Sequence, residues 1–487
     1  MRFLVVFLLA FSIRAAVVQG VVLDEETGNP LARTLVTLTP LPGTPAGTIA
    51  LRAGDRGSFT ILSVRAGWYI LKTSRRGFAD TEAGALRPGR AGLPFEITPD
   101  TQSTFIQIRM RRLAAATGTV VDENSVGIPD WPVHIYTSKK PIRRIAESKT
   151  DDRGHFRIGF LDPGKYVVRS GPGVLEDNSQ LLPTYYKYGT ELESSEAFRL
   201  RLGETQTDLI IRPVKGRLLE ISGTLGQPYI DQTPVNLTLI TDTGRRVIAT
   251  SPGLFSAAGI PPGPIELVVE GVQCGSYTRM LLDKDQSNIR VGCPKVEPLS
   301  IDWRSQGFKP TQGYPLIMRR ADLDGTGPPK IFKSRDILVP GHWEFTTDLS
   351  PDYYITSVRA QFGTESSPRN DGWFGVYLSN QPRMMVTVST KPANISGVVA
   401  TGGKPVAGAA VYIEWFNPDV SDKRLQLWSL RTDAQGNFSL PGLTPGRYRA
   451  ISSFDFDPDD VFIMERASEM TLKEGDTVTK ALELQLP

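Results

Sequence analysis

The chain has 487 residues, too many for one hydrophobic core, and at roughly 100 to 150 residues per domain it divides into about three to five units. Its 55 basic and 52 acidic residues leave a net charge of +3, which is no field for holding nucleic acid. The 46 glycines and 37 prolines follow no short period, which excludes collagen and fits many turns between short strands.

The chain opens with Met1 and Arg2, a largely apolar run from Phe3 to Ile13, and the small residues Ala15 and Ala16. A basic start, an apolar middle and a small-residue cleavage zone predict a secretory signal over 1–15 and an exported protein, in the periplasm, the cell envelope or the medium. The run is short for a bilayer, and no later stretch approaches the roughly 20 apolar residues of a spanning helix.

Beyond it a two-part turn signal recurs. Gly57 and Phe59 are followed by Gly67 and Tyr69; Gly154 and Phe156 by Gly164 and Tyr166; Gly436 and Phe438 by Gly446 and Tyr448. Two worn copies keep the spacing: Gly253 and Phe255 with Gly263 and Ile265, and Gly341 and Trp343 with Pro351 and Tyr353. The starting glycines at 57, 154, 253, 341 and 436 are separated by 97, 99, 88 and 95 residues, the size of one small β-sandwich. Five units follow: 16–112, 113–215, 216–296, 297–391 and 392–487. The fourth lacks an opening glycine, so its start is set by spacing.

The last unit shows why these residues make strands. Ile395 to Val399 opens it, glycines 402 and 403 turn the chain, and Val411 and Ile413 alternate with Tyr412 and Glu414 at the period of a half-buried strand. Asp433 can bond the backbone two residues on, Gly436 suits the positive φ of a tight turn, and Phe438 starts the returning strand. Pro445 and Gly446 reverse the chain again before Tyr448, and Leu482, Leu484 and Leu486 alternate along a closing strand.

The only cysteines, Cys274 and Cys293, fall in the third unit. Strands over 277–282 and 288–291 around the polar turn 283–286 predict a hairpin whose flanking cysteines can pair; two buried free thiols are the alternative. A disulfide there would be worth about 3 kcal/mol in the chain-entropy model.

An opening Gly-x-Val, a Thr-Asp-x-x-Gly-x-Phe hairpin and a Pro-Gly-x-Tyr ten residues on resemble the carboxypeptidase regulatory-like, or transthyretin-like, domain family. The resemblance is firm in the second and fifth units, good in the first, eroded in the third and weak in the fourth. It implies an all-β tandem array of five transthyretin-like Greek-key β-sandwich domains. The motif positions build the fold, so no binding residues carry over.

A zinc carboxypeptidase needs two His and a Glu, one His and the Glu closely spaced. His134, His155 and His342 begin no His-x-x-Glu pair and read as strand or hairpin residues. No Gly-x-Ser-x-Gly elbow and no phosphate loop occurs, so no catalytic residue, metal or cofactor is expected. Asp455, Asp457, Asp459 and Asp460 lack a calcium-loop glycine and read as a solvated loop. Tyr185, Tyr186 and Tyr188, in a long excursion of the second unit, and Trp373, in a loop of the fourth, are the candidate binding residues, with packing over the sandwich edge as the competing role. The expected function is a non-catalytic envelope or extracellular interaction module or spacer, its loops presented along a semi-rigid rod to an unidentified protein or glycan. Carbohydrate binding through the loop aromatics is the alternative.

Overall fold

A computed structural model describes residues 16–138, 142–187, 189–228, 234–248, 250–251, 253–305, 313–334, 336–361, 366, 372–418, 424–457 and 461–485. Residues 1–15, where the signal is expected, and Tyr188, Asp459 and Asp460 lie outside the described residues. The protein is all-β: a five-residue helix, Val461–Glu465, is the only α-helix among the described residues. Five separate cores lie along the chain, spanning Ala16 to Met110, Ala114 to Ile211, Leu219 to Cys293, Leu299 to Val388 and Ala393 to Leu484. Each is enclosed by two facing groups of strands, and each unit pairs its opening and closing strands in parallel.

That parallel pairing explains the opening glycine. In four units the opening strand is central, between an antiparallel hairpin strand and the closing strand. A Cβ on Gly20, Gly118, Gly223 or Gly397 would lie 1.9, 2.1, 1.9 or 1.8 Å from a carbonyl oxygen of the closing strand, so no larger residue fits without moving that strand. Among the described residues, the fourth unit's opening strand, Ser300–Ser305, is at an edge and pairs only with Arg383–Ser389, whose other side is taken by Tyr354–Ala360. The crowded central position is absent there, and so is the glycine.

The fourth unit also corrects a register. Gly341 and Trp343 do not begin the first signal of that repeat; they are its second. Gly341 has φ 139°, like Gly67, Gly263 and Gly446 at 149°, 142° and 159°, whereas Gly57, Gly154, Gly253 and Gly436 lie between 67° and 80°. Its strand, Gly341–Thr346, pairs in the larger sheet with Ile317–Asp322, just as Gly446–Ser453 pairs with Ala410–Phe416. The side-chain bond agrees. The hydroxyls of Tyr69, Tyr166 and Tyr448 donate to the carbonyl four residues back at 2.9, 2.7 and 2.6 Å, and the Trp343 indole N–H donates to Val339 at 2.9 Å. Pro351 and Tyr353 instead lead into the strand Tyr354–Ala360 of the smaller sheet.

Cys274 and Cys293 form a disulfide with Cα atoms 5.0 Å apart. The strands around it are not a hairpin. Cys274–Leu282 pairs with Gly263–Gly271 in one sheet and Gln286–Cys293 with Leu219–Pro228 in the other, so the turn between them crosses the sandwich and the bond ties its two sheets together.

Successive units touch, and so do the first and the last. Phe160 lies under the Arg76 guanidinium, Arg169 pairs with Asp242 at 2.8 Å, the Leu323 amide donates to Glu266 at 3.0 Å, and Gly442 packs on the Ser350 backbone. Arg431 of the fifth unit pairs with Glu82 of the first and donates to the Gly92 carbonyl at 3.0 Å; Arg90 pairs with Asp457 at 2.7 Å; Ala91 packs against the fifth core. The circuit of contacts is closed, which overturns the rod.

Candidate ligand-binding cleft

In the fifth unit Ile413 is fully buried, and strand alternation puts Trp415 on the same inner face. The next strand, Arg424–Arg431, is an edge, and its register sets Gln426 opposite Trp415 and Trp428 opposite Ile413. Four side chains therefore share one face. Ile413 is covered by the core, whereas Trp415 and Trp428 remain half-buried against it, their rings within 14° and 28° of parallel to Tyr448 at 6.4 and 6.3 Å. As diagonal neighbours on paired strands the two tryptophans sit roughly 7–8 Å apart.

The fourth unit supplies the facing wall. Trp373 and Gly372 lead into the strand Phe374–Leu378, and the Gly372 carbonyl accepts from the Thr346 hydroxyl at 3.1 Å. The Arg319 guanidinium lies 3.9 Å from the Trp373 ring centroid and is itself buried and paired with Glu344 at 2.6 Å. One face of Trp373 is thus fixed by a cation that burial and pairing hold still. Tyr353 and Tyr354 complete the wall, their pKa values raised by burial, so both phenols stay protonated well into the alkaline range.

Between these walls is a cleft of about 620 Å³, within the range of small-ligand sites. Aromatic rings and the hydroxyl or amide groups of Thr346, Thr347, Thr444 and Gln426 line it. Asp348 is its one charged lining residue among the described residues.

The remaining candidates fall elsewhere. Tyr185 is buried with Arg169 4.7 Å over its ring, at the contact between the second and third units, and burial raises its pKa. Tyr186 is half-buried against the second core. Neither is displayed on a loop, so of the described candidates only Trp373 lines the cleft. Trp415 and Trp428 were missed because they sit inside strands; the available signal was two tryptophans at inward-facing alternation positions flanking an excursion.

A larger cavity of about 730 Å³ lies between the third and fourth units, with Ile142 and Arg143 of the second also lining it, and its acidic groups are paired. Glu266 accepts from the Tyr277 hydroxyl at 2.6 Å and the Leu323 amide, and Asp322 faces Arg320 at 2.7 Å and Arg245 at 3.3 Å. His342 packs edge-on against Tyr277 and Tyr377, His155 sits beside the Thr119 hydroxyl, and His134 is buried. No three His, Cys, Asp or Glu side chains gather as a metal site among the described residues. Asp455 and Asp457 face Arg87 and Arg90 of the first unit, so the acidic loop is part of the closing contact and not simply solvated.

No protein-family model matches the chain, and no curated protein is similar to it. Similar solved structures include the Bacillus anthracis TIE protein, with 14% identity over 58% of this chain and a TM-score of 0.19; the match spans 51% of that protein, so this chain covers about half its length. The minor pilin GBS52 of Streptococcus agalactiae is 14% identical over 42% of this chain and 97% of its own, with a TM-score of 0.24. The shaft pilin SpaA of Lactobacillus rhamnosus GG is 13% identical over 41% and 98%, with a TM-score of 0.23. Likeness at this level carries nothing about the activity or partners of this chain.

Proposed function

We propose that this chain is an exported, non-catalytic interaction protein of the cell envelope or extracellular space. In this reading carboxypeptidase regulatory-like sandwiches form a closed scaffold, and the cleft between the fourth and fifth units is the surface offered to a ligand. The observation that carries it is the contrast between this cleft and the cavity between the third and fourth units. In that cavity Glu266, Asp322 and Glu344 are paired with neighbouring cations or donors, while the cleft gathers aromatic rings and uncharged polar groups, with Asp348 its one charged lining residue among those described.

Export is supported by the signal-like segment 1–15 and by the Cys274–Cys293 bond, since disulfides persist in oxidising compartments. No helix among the described residues is long and apolar enough to cross a membrane. Fractionation of cells making the full chain is expected to place it outside the cytoplasm, and cytoplasmic retention contradicts export. Isolated envelopes are expected to retain the protein and to release the Trp428→Ala variant. Equal retention of both would remove the cleft from the reading, and hydrolysis of a peptide or ester panel above the blank would remove the non-catalytic assignment.

A further inference from the structure

Resting on that reading, we infer that the ligand of the cleft is an uncharged oligosaccharide, stacked on Trp415, Trp428 and Trp373 and hydrogen-bonded by Gln426 and the threonines of the rim.

Three observations select this chemistry. The first is the disposition of the rings. Trp428 is on an edge strand and Trp415 on the strand beside it, and both indoles lie near-parallel to the Tyr448 ring. Their extended π faces suit flat apolar surfaces such as the C–H face of a pyranose, and two rings one diagonal step apart suit consecutive sugar units better than a single compact ligand.

The second is the polar complement. Gln426 is exposed, directly opposite Trp415, and offers both a donor and an acceptor. Its Oε1 is 3.3 Å from where a Cβ of Gly372 would be, so it reaches across to the wall that carries Trp373. Thr346, Thr347 and Thr444 add hydroxyl lone pairs that can accept from a sugar O–H, the Thr346 and Thr347 protons being donated to the Gly372 and Pro315 carbonyls at 3.1 and 3.2 Å. A sugar presents hydroxyls in its ring plane and C–H groups above and below it, which matches polar groups at the rim and rings on the walls. A lipid chain would leave the rim groups unmatched.

The third is charge. Asp348 is the lone charged lining residue among those described, and none of those residues offers a cation to a nucleic acid, a phosphorylated ligand or an acidic glycan. Sites for charged peptides commonly use Arg clusters or paired acids, and Arg319 lies beneath Trp373 and is paired with Glu344.

The walls are also held in place before any ligand arrives. A Cβ on Gly442 would meet the Ser350 backbone at 2.6 Å, so the two units approach there as closely as backbones allow. Preorganised rings lose little freedom on binding, which favours measurable affinity from few contacts.

The test is calorimetric titration of the full chain, with a glycan array and a peptide array in parallel, on wild type, Trp428→Ala, Trp428→Phe, Gln426→Ala and the remote surface control Leu281→Ser. Near-UV circular dichroism and hydrogen exchange report whether each variant keeps its fold. Neutral oligosaccharides are expected to bind wild type and the control alike, about tenfold or more weaker to Trp428→Ala and Gln426→Ala, and with most affinity kept in Trp428→Phe. Peptides or acidic glycans bound in place of neutral ones, and lost in Trp428→Ala, would overturn the saccharide while leaving the cleft as the binding surface. Neutral glycans bound equally by all variants would overturn both. An array without a neutral-glycan signal on folded wild type overturns the saccharide.

Discussion

Removing the indole N–H of Trp343 tests both the corrected register of the fourth sandwich and the independence of the five cores. If Gly341 and Trp343 are the counterpart of Gly446 and Tyr448, then Trp343→Phe and Tyr448→Phe delete the same bond, a donor reaching the carbonyl four residues back at 2.9 and 2.6 Å. A typical intramolecular hydrogen bond contributes about 1 kcal/mol net. Thr444 is half-exposed, so water can satisfy its carbonyl and the loss at Tyr448 should stay near that figure. Val339 is buried, so its orphaned carbonyl should raise the loss at Trp343 toward about 2 kcal/mol, with a further increment for the smaller ring. A chain of five cores does not unfold in one step, so a single denaturation midpoint is the wrong readout. Native-state hydrogen exchange resolved by segment is the right one: Trp343→Phe should lower protection over 299–388 and Tyr448→Phe over 393–484, each leaving distant units unchanged. A loss spread evenly over the whole chain would refute separate cores, and no loss at all in Trp343→Phe would refute the register.

Two further outcomes follow. Cys274→Ser with Cys293→Ser should destabilise the third sandwich by about 3 kcal/mol and leave the others unchanged, and an effect below a few tenths would show that the link between its sheets is dispensable. His134 titrates at about 4, lowered first by burial and then by the Arg144 charge, against the opposing pull of Glu147. Because the folded pKa lies below the unfolded one, the unfolded chain takes up the proton first. The contribution of His134 is complete above about pH 6.5 and is lost as pH falls to about 4, roughly 3 kcal/mol in all. His134→Gln should remove that part of the acid sensitivity of the second sandwich, and an unaltered pH profile would contradict it.

Much of the fold was legible because its constraints are local. A tight turn asks for glycine, a corner bond asks for tyrosine four residues on, and a central strand pressed between two neighbours asks for glycine again at Gly20, Gly118, Gly223 and Gly397. The fourth unit misled for an equally physical reason: a glycine two residues before an aromatic occurs in both signals, and what separates Gly341 from Gly57 is a φ of 139° against 67°, a property of the backbone. The path between the cysteines was ambiguous because a short polar turn suits a hairpin and a crossover alike. Trp373 was visible as a loop aromatic, but Trp415 and Trp428 looked like ordinary strand residues until the edge position of their sheet was known. Ring closure was invisible, since Glu82 and Arg431 are 349 residues apart and neither charge is unusual by itself.

Small-angle X-ray scattering on the purified chain tests the central claim, that five separate sandwiches close into a circuit. A sandwich of about 100 residues has a radius of gyration near 13 Å, so five in a touching ring give about 31 Å or less, and five in an extended row about 48 Å. The account predicts the smaller value, with a distance distribution that ends well short of five sandwich diameters. A radius near 48 Å would contradict it and return the molecule to a rod.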